Sequence, residues 1–347
     1  MRILWLSPWL RTLSRVQVDA LTAAGHECLL VTTDQHYEKV AVRADERVLD
    51  PRIKDPRTLG PLLRVLREAR SWRPDLVVSE LMHDPRWLPL TRLAPLVHVV
   101  HDDRPHDAGE TRPSRRRVVL DHLTRTADAV VAPSAHVAAV LSARFGRRVD
   151  VVGLTSDLPD AAVPAGVPVP AAHRRDVVLL GRMSPYKNVE VALRAWDAHT
   201  RSPAFAGDRL LMIGDGSLQV PERLLGPHVQ WRRDRFSYAD VLDTVSRAKA
   251  SLVHYRVATQ SGVQVLSMQL GVPVVVSDSG GLPEFLPADE RPVGVDDVAG
   301  LTARFDLLAD PAVAAERGAV AAAHYREHHS ARRAAEAWEV VARRCRR

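Results

Sequence analysis

Short runs of valine and leucine recur along this chain, separated by segments of helical pattern, and few of the runs alternate apolar with polar residues. RILWLS (2–7), CLLVTT (28–33), DLVVSE (75–80), LVHVVHDD (96–103), ADAVVAPS (127–134) and VDVVGL (149–154) are of this kind. A strand covered on one face shows a period of two; a strand buried on both faces need not. Between the runs lie segments such as LGPLLRVLREAR (59–70), whose leucines at 59, 62, 63 and 66 share one helical face, and a segment ending at Gly25, a helix C-cap. Strands of this type alternating with helices predict a parallel, doubly wound sheet with helices on both faces.

The rhythm breaks at AAVPAGVPVPAAHRRD (161–176), whose prolines and small residues read as an interdomain linker. It then restarts: DVVLLG (176–181), a helix over 188–198, RLLMIGDG (209–216), HVQWRR (228–233), a helix over 239–249, ASLVHY (250–255) and GVPVVVS (271–277). A chain of 347 residues is long enough for two such cores. The expected fold is therefore α/β, with two doubly wound, Rossmann-like domains facing across a cleft. The first spans 1–165 and the second 174–325. SARRAAEAWEVVARRC (330–345) is an amphipathic helix with no strand after it. Ligands of such sheets bind outside the carboxyl ends of the strands.

Several classes of function are disfavoured. No run of about 18 apolar residues exists to span a membrane, and MRILWLSPWL reads as a first strand, too soon interrupted for a signal peptide. Cys28 and Cys345 sit at opposite ends of the chain and read as reduced thiols of a cytoplasmic protein. The net charge of +6 favours anionic substrates. No helix-turn-helix, zinc or aromatic stacking pattern points to nucleic acid.

Three stretches carry candidate chemistry. GRMSPYKN (181–188) directly follows a buried strand: Gly181 permits a tight turn, Arg182 offers a planar fork for phosphate oxygens and Lys187 a point charge. Lys187 is also one of only four lysines, with Lys39, Lys54 and Lys249, in an arginine-rich chain. In QSGV (260–263), Ser261 is a good N-cap and Gly262 lets backbone N–H groups approach a ligand, so Gln260, Ser261, Gly262 and Val263 form a candidate anion cradle. His101 ends the LVHVVHDD strand, where it can meet a sugar hydroxyl. A plain basic turn, an ordinary capped helix and a structural histidine are the competing readings of the three. His101, Asp102, His106 and Asp107 lack the spacing of a standard metal motif. Arg112, Arg115, Arg116 and Arg117 could meet an acidic acceptor or a membrane surface peripherally, or be a solvated helix start. GDG (214–216) is a weak turn signal.

In this order, GRMSPYKN, MIGDGS and ASLVHYR-ATQSGV-LSMQLGVPVVVSDSGGLPE resemble the second domain of GT-B glycosyltransferases of the GT4 type, and SPW, VHVVHDD and VVAPSAHVAAVL resemble the first. The resemblance implies transfer of a sugar from a nucleotide diphosphate, UDP foremost, to a small-molecule or glycan acceptor, with retention and with no metal or other cofactor. It implies that Arg182 and Lys187 hold the diphosphate, that His101 lies beside the transferred sugar, and that the helix of 330–347 crosses back to the first domain. Trp9, Asp102 and Ser134, within the first-domain motifs, are expected on the acceptor or sugar side.

The chain departs from the family in two places. The glutamates of the E-x7-E pattern fall on Ala258 and Leu266, and no acidic residue occurs between Arg256 and Asp278. The glycine-rich loop after the first strand is replaced by Ser7-Pro8-Trp9. Phosphate handling is thus supported, whereas sugar and ribose must be held differently. A catalytically silent relative of the same fold, or a sugar-nucleotide epimerase, are the alternatives.

Overall fold

The computed structural model describes residues 1–34, 41–52, 54–102 and 114–345. They divide into two compact units. One holds the chain up to Leu158 together with the last helix from Ser330; the other holds Pro159–His329.

The first unit is built from β1 (Arg2–Ser7), α1 (Arg11–Ala23), β2 (Glu27–Thr33), β3 (Glu46–Leu49), α2 (Leu59–Trp72), β4 (Leu76–Glu80), β5 (Leu96–Val99), α3 (Ser114–Thr126), β6 (Ala129–Ala132), α4 (Ala135–Phe145) and β7 (Asp150–Val151). Its seven strands lie in the order β3-β2-β1-β4-β5-β6-β7, and every pairing is parallel. The missing two-residue period has a direct cause in β1. Ile3 and Trp5 enter the cluster that also holds Trp338, while Leu4 and Leu6 enter another with Leu62 and Val130. Both faces are covered, so both sets of side chains are apolar. Burying each contributes about 1.5–3 kcal/mol. In α2 the buried positions are Leu62, Val65 and Ala69, spaced by three and four; Leu59 and Leu63 are exposed, so the apolar stripe lies one position round from the one the leucines suggest.

The second unit contains β8 (Val177–Leu180), α5 (Val189–His199), β9 (Leu210–Ile213), β10 (Val229–Arg232), α6 (Tyr238–Ser246), β11 (Ala250–Val253), α7 (Gly262–Gln269), β12 (Val274–Val276), α8 (Val298–Leu308) and α9 (Pro311–His324). Its five strands run parallel in the order β10-β9-β8-β11-β12. A single π-helical turn, Tyr325–His329, leads into α10 (Ala331–Cys345), which belongs to the first unit. There Trp338 meets Trp5 edge-on at 5.1 Å, and its indole N–H donates to Gln17 Oε1 at 3.0 Å.

The stretch that reads as a linker is packed onto the second unit. Arg174 donates to the carbonyls of Ala248 and Gly271, and Asp160, just before the stretch, accepts from the Gln269 amide. Both sheets reverse their strand order once, between β1 and β4 in the first and between β8 and β11 in the second. The loops at those two switch points are where a doubly wound sheet opens a crevice.

Candidate active site

In the second unit the switch point is flanked by the loop after β8 and the loop that runs from β11 into α7. Gly181 adopts φ +104°, and a Cβ there would stand 3.1 Å from Lys187 Nζ. Glycine is required both by the backbone and by the lysine that fills the space. Gly214, in the GDG turn after β9, is needed for another reason: its Cβ would lie 2.2 Å from the Gly181 carbonyl oxygen. The two loops therefore run in backbone contact, joined by Gly181 N–H to the Ile213 carbonyl and Met183 N–H to the Asp215 carbonyl.

This packing sends Lys187 inward, where it is 3 % exposed. Its ammonium donates to the Leu180 carbonyl at 2.8 Å and to Tyr255 Oη at 2.7 Å, and it lies 4.2 Å from the centre of the Tyr255 ring. Among the described residues no carboxylate acts on it. Burial, helped by the nearby Arg182 charge, pushes Lys187 down to about 8. Burial also holds Tyr255 as a neutral phenol, its pKa raised.

Tyr255 Oη stands 3.5 Å from Ser261 Oγ, and Ser261 is the N-cap of α7, accepting from Gln264 N–H. The cap leaves the N–H groups of Gly262 and Val263 without an acceptor among the described residues. A Cβ added at Gly262 would meet nothing within 4 Å, so this end of the helix faces open space. Val263 borders the Gly181 position. Asn188, which closes the lysine loop at φ +54°, is held by its own amide on the Val295 carbonyl and by Arg256 on its Oδ1. A buried cation, a set of free N–H groups and a helix N-terminus thus converge, which is the composition of an anion site.

In the first unit the switch point places Glu80, at the end of β4, beside His101, two residues past β5. His101 Nε2 lies 2.6 Å from Glu80 Oε1, and both side chains are buried. Glu80 Oε2 accepts from Ser14 Oγ at 2.8 Å and from Trp5 Nε1 at 3.3 Å. Burial disfavours both charges, yet each partner's hydrogen bond and charge outweigh it: Glu80 is held below the usual carboxylate range and His101 is raised.

Each half of the chain matches the description of a known glycosyltransferase domain: residues 174–310 match glycosyl transferases group 1, and residues 15–154 match glycosyltransferase family 4. The chain belongs to the group 1, family 4 glycosyltransferases. Solved structures share its fold over 99 % of its length at low identity. They include sucrose-phosphate synthase from Thermosynechococcus elongatus (18 % identical, 98 % of that chain, TM-score 0.70). Anabaena HepE in complex with UDP and glucose is 16 % identical, with 100 % of that chain covered and a TM-score of 0.65. The UDP-forming α,α-trehalose-phosphate synthase from Burkholderia vietnamiensis is 15 % identical, with 100 % covered and a TM-score of 0.68. The architecture is GT-B. No curated protein matches the chain.

Within this glycosyltransferase, Arg182, Lys187, Gln260 and Ser261 lie in the two loops of the second unit's switch point, and Gly262 and Val263 open α7. Arg182 is exposed, in contrast to Lys187. The expectation for His101 changes: it is buried and its Nε2 is already engaged by Glu80, so it has one ring nitrogen left to offer. Trp9 is 38 % exposed and donates from Nε1 to His83 Nδ1 at 3.1 Å, and Asp102 raises the neighbouring His101. Ser134 is buried as the N-cap of α4, accepting from Val137 N–H at 3.2 Å. His106, Asp107 and Arg112 lie outside the described residues. Among the described residues no group of three or more histidine, cysteine or acidic side chains could hold a metal ion, and no helix is long and apolar enough to cross a membrane.

The places of the two family glutamates are filled by buried apolar side chains, Ala258 at 4 % and Leu266 at 1 % exposure. Leu266 is part of the packing of α7 and projects no polar group. Sequence reasoning missed Glu80 and Tyr255. Glu80 was open to the same argument that singled out His101, being an ionisable residue at the carboxyl end of a valine-rich strand; Tyr255 closes ASLVHY in the same way.

Proposed function

We propose that this glycosyltransferase moves a sugar from a nucleoside diphosphate, UDP foremost, to a small-molecule or glycan acceptor, with retention of configuration. The observation that carries the reading is Lys187: a buried ammonium with no carboxylate partner among the described residues, beside the N-terminus of α7. A diphosphate is an anion that can pair with it. Lys187, Arg182 and the Gly262 and Val263 N–H groups hold the leaving group and stabilise the charge it gains as the bond to the sugar breaks. The acceptor oxygen forms its bond to the anomeric carbon on the face the diphosphate leaves, and its proton passes to a departing phosphate oxygen. His101, in the first unit, serves the sugar. Two cationic side chains can do the work of a divalent metal here, so turnover in the presence of a chelator is part of the proposal. Complexes of HepE with UDP and UDP-glucose, and the UDP-forming trehalose-phosphate synthase, support UDP as the carrier.

A second reading is favoured by one observation. Ala258 and Leu266 are buried and apolar where the family resemblance calls for glutamates, which fits a protein that binds a nucleotide without transferring sugar. Incubation with a panel of UDP- and other nucleoside-diphosphate sugars, with release of the free diphosphate followed in chelator, separates the two. Release is expected with at least one donor. Tight nucleotide binding with no release from any donor would establish the silent alternative, and strict dependence on added magnesium or manganese would remove the metal-free mechanism.

A further inference from the structure

β4 and β5 are paired in parallel, Ser79 opposite His98 and Glu80 opposite Val99. The strand end carries two buried histidines, His98 and His101. Burial alone would discharge both, since desolvation penalises the imidazolium. Their surroundings divide them. His98 Nδ1 faces the Ser79 hydroxyl at 2.8 Å, and burial, with repulsion from His101 and Arg147, takes it down to about 4, so it is neutral. His101 meets a carboxylate. That carboxylate is itself anchored from two other elements, by Trp5 of β1 and Ser14 of α1, and is 2 % exposed. It cannot swing away without leaving the Trp5 indole N–H unpaired inside the protein.

We propose that Glu80 is a positioning residue: by binding Nε2 it fixes the His101 ring and leaves Nδ1 as the one nitrogen that His101 can present to a bound substrate, as a hydrogen-bond donor and not as a base. This rests on the reading that His101 serves the sugar. An Nε2–H shared with Glu80 is compatible with two forms of the ring. In the neutral form Nδ1 is a lone pair and could take a proton from an acceptor hydroxyl; in the imidazolium Nδ1 carries a proton and can only donate. The groups acting on the ring are Glu80 from β4, Asp102 beside it and His98 from β5. The two carboxylates outweigh burial and favour the cation, in which Nδ1 carries its proton, and His98 adds no opposing charge. An N–H donor fixed in one direction suits a sugar hydroxyl that must be held in one orientation while the diphosphate departs with the negative charge, and it suits the chain's lack of the family glutamates.

Ring nitrogens of histidine-labelled protein, followed by NMR as pH is varied, test this without any donor substrate. Among the fifteen histidines, His101 is assigned by its loss in His101→Asn. In the native protein the ring is expected to be protonated on both nitrogens at pH 7 and to titrate above the ordinary 6.5. In Glu80→Gln it should titrate at lower pH than in the native protein. A neutral His101 at pH 7 in the native protein, or a titration unchanged by Glu80→Gln, would overturn the proposal, and the native spectrum decides even if the variant folds poorly. Turnover gives a second reading with opposite signs. The donor role requires kcat/KM to fall on the alkaline side, with that limb moved to lower pH in Glu80→Gln; a rate that rises with pH through the His101 titration marks a base and refutes it. Absence of turnover with every sugar nucleotide would count against glycosyl transfer alone, since the titration of the free protein stands by itself.

Discussion

His101 in the first unit and Lys187 in the second are both buried basic side chains at the carboxyl end of a parallel sheet, yet among the described residues only one has a carboxylate partner. His101 is 2.6 Å from Glu80, and the pairing raises its pKa. Lys187 has a carbonyl and a phenol, and burial lowers its pKa to about 8. A buried charge is normally paired or neutralised. The pair at His101 is complete within the protein, whereas the Lys187 site, in the function proposed above, is completed by an anion from outside. Arg174 shows why burial without a carboxylate is not enough to mark a site: it also sees only carbonyls, but it precedes β8, at the opposite end of the sheet, and both its amino groups are used in anchoring the chain.

The largest expected effect comes from breaking the completed pair. Glu80→Ala breaks the buried pair, leaving His101 to be discharged by burial and the Trp5 indole N–H without its acceptor, and should cost about 3–5 kcal/mol of stability by urea unfolding, while affinity for UDP, proposed to bind in the other unit, stays unchanged. The pair also has a pH signature. His101 is raised by folding, so its contribution is complete below 6.5 and is lost as pH rises through the folded value; Glu80 is lowered, so its contribution is present above 4.5 and is lost as pH falls. Stability should therefore be greatest between these limits and decline on both sides, and Glu80→Ala should flatten the curve. A harmless Glu80→Ala would show that His101 carries no buried charge and would dissolve the comparison.

Completing the other site should depend on Lys187 itself. Lys187→Met keeps most of the volume and removes the charge, and is expected to weaken UDP binding by about 1.5–3 kcal/mol in calorimetry. Arg182→Ala should act in the same direction but less, because its charge is exposed and screened. Equal affinity in both variants would take them out of the site. A smaller effect sharpens the point. As Lys187 titrates at about 8 in the free protein, an anion must bind the protonated form, so UDP affinity should fall about tenfold per pH unit above that value, and Lys187→Met should abolish the dependence.

Much of the fold is legible in the strands because a doubly covered sheet demands apolar residues at every position, as in VVLL of β8. β3 is not, because ERVL is a polar edge strand whose Glu46 is buried against Arg11 and Arg15. The sequence pattern yields no helix or strand between 278 and 329, where α8 and α9 lie; α9 is largely alanine, which packs closely without a strong apolar stripe. The site was legible to the extent that it is local. Lys187, Ser261 and His101 stand in recognisable turns, but their partners Tyr255 and Glu80 are 68 and 21 residues away in the chain. Which buried cation is paired is decided by which parallel strands are neighbours, a tertiary fact that spacing within a motif does not carry.

The central claim is that the open N-terminus of α7, with Lys187 behind it, is the diphosphate cradle. Gly262→Val tests it most directly, because a Cβ there touches no protein atom within 4 Å and the fold has no reason to suffer. Calorimetric titration with UDP, alongside a thermal melt, should show an unchanged melting temperature and UDP affinity reduced at least tenfold as the side chain enters the space the phosphates need. A variant that melts like the native protein and binds UDP equally tightly would contradict the account.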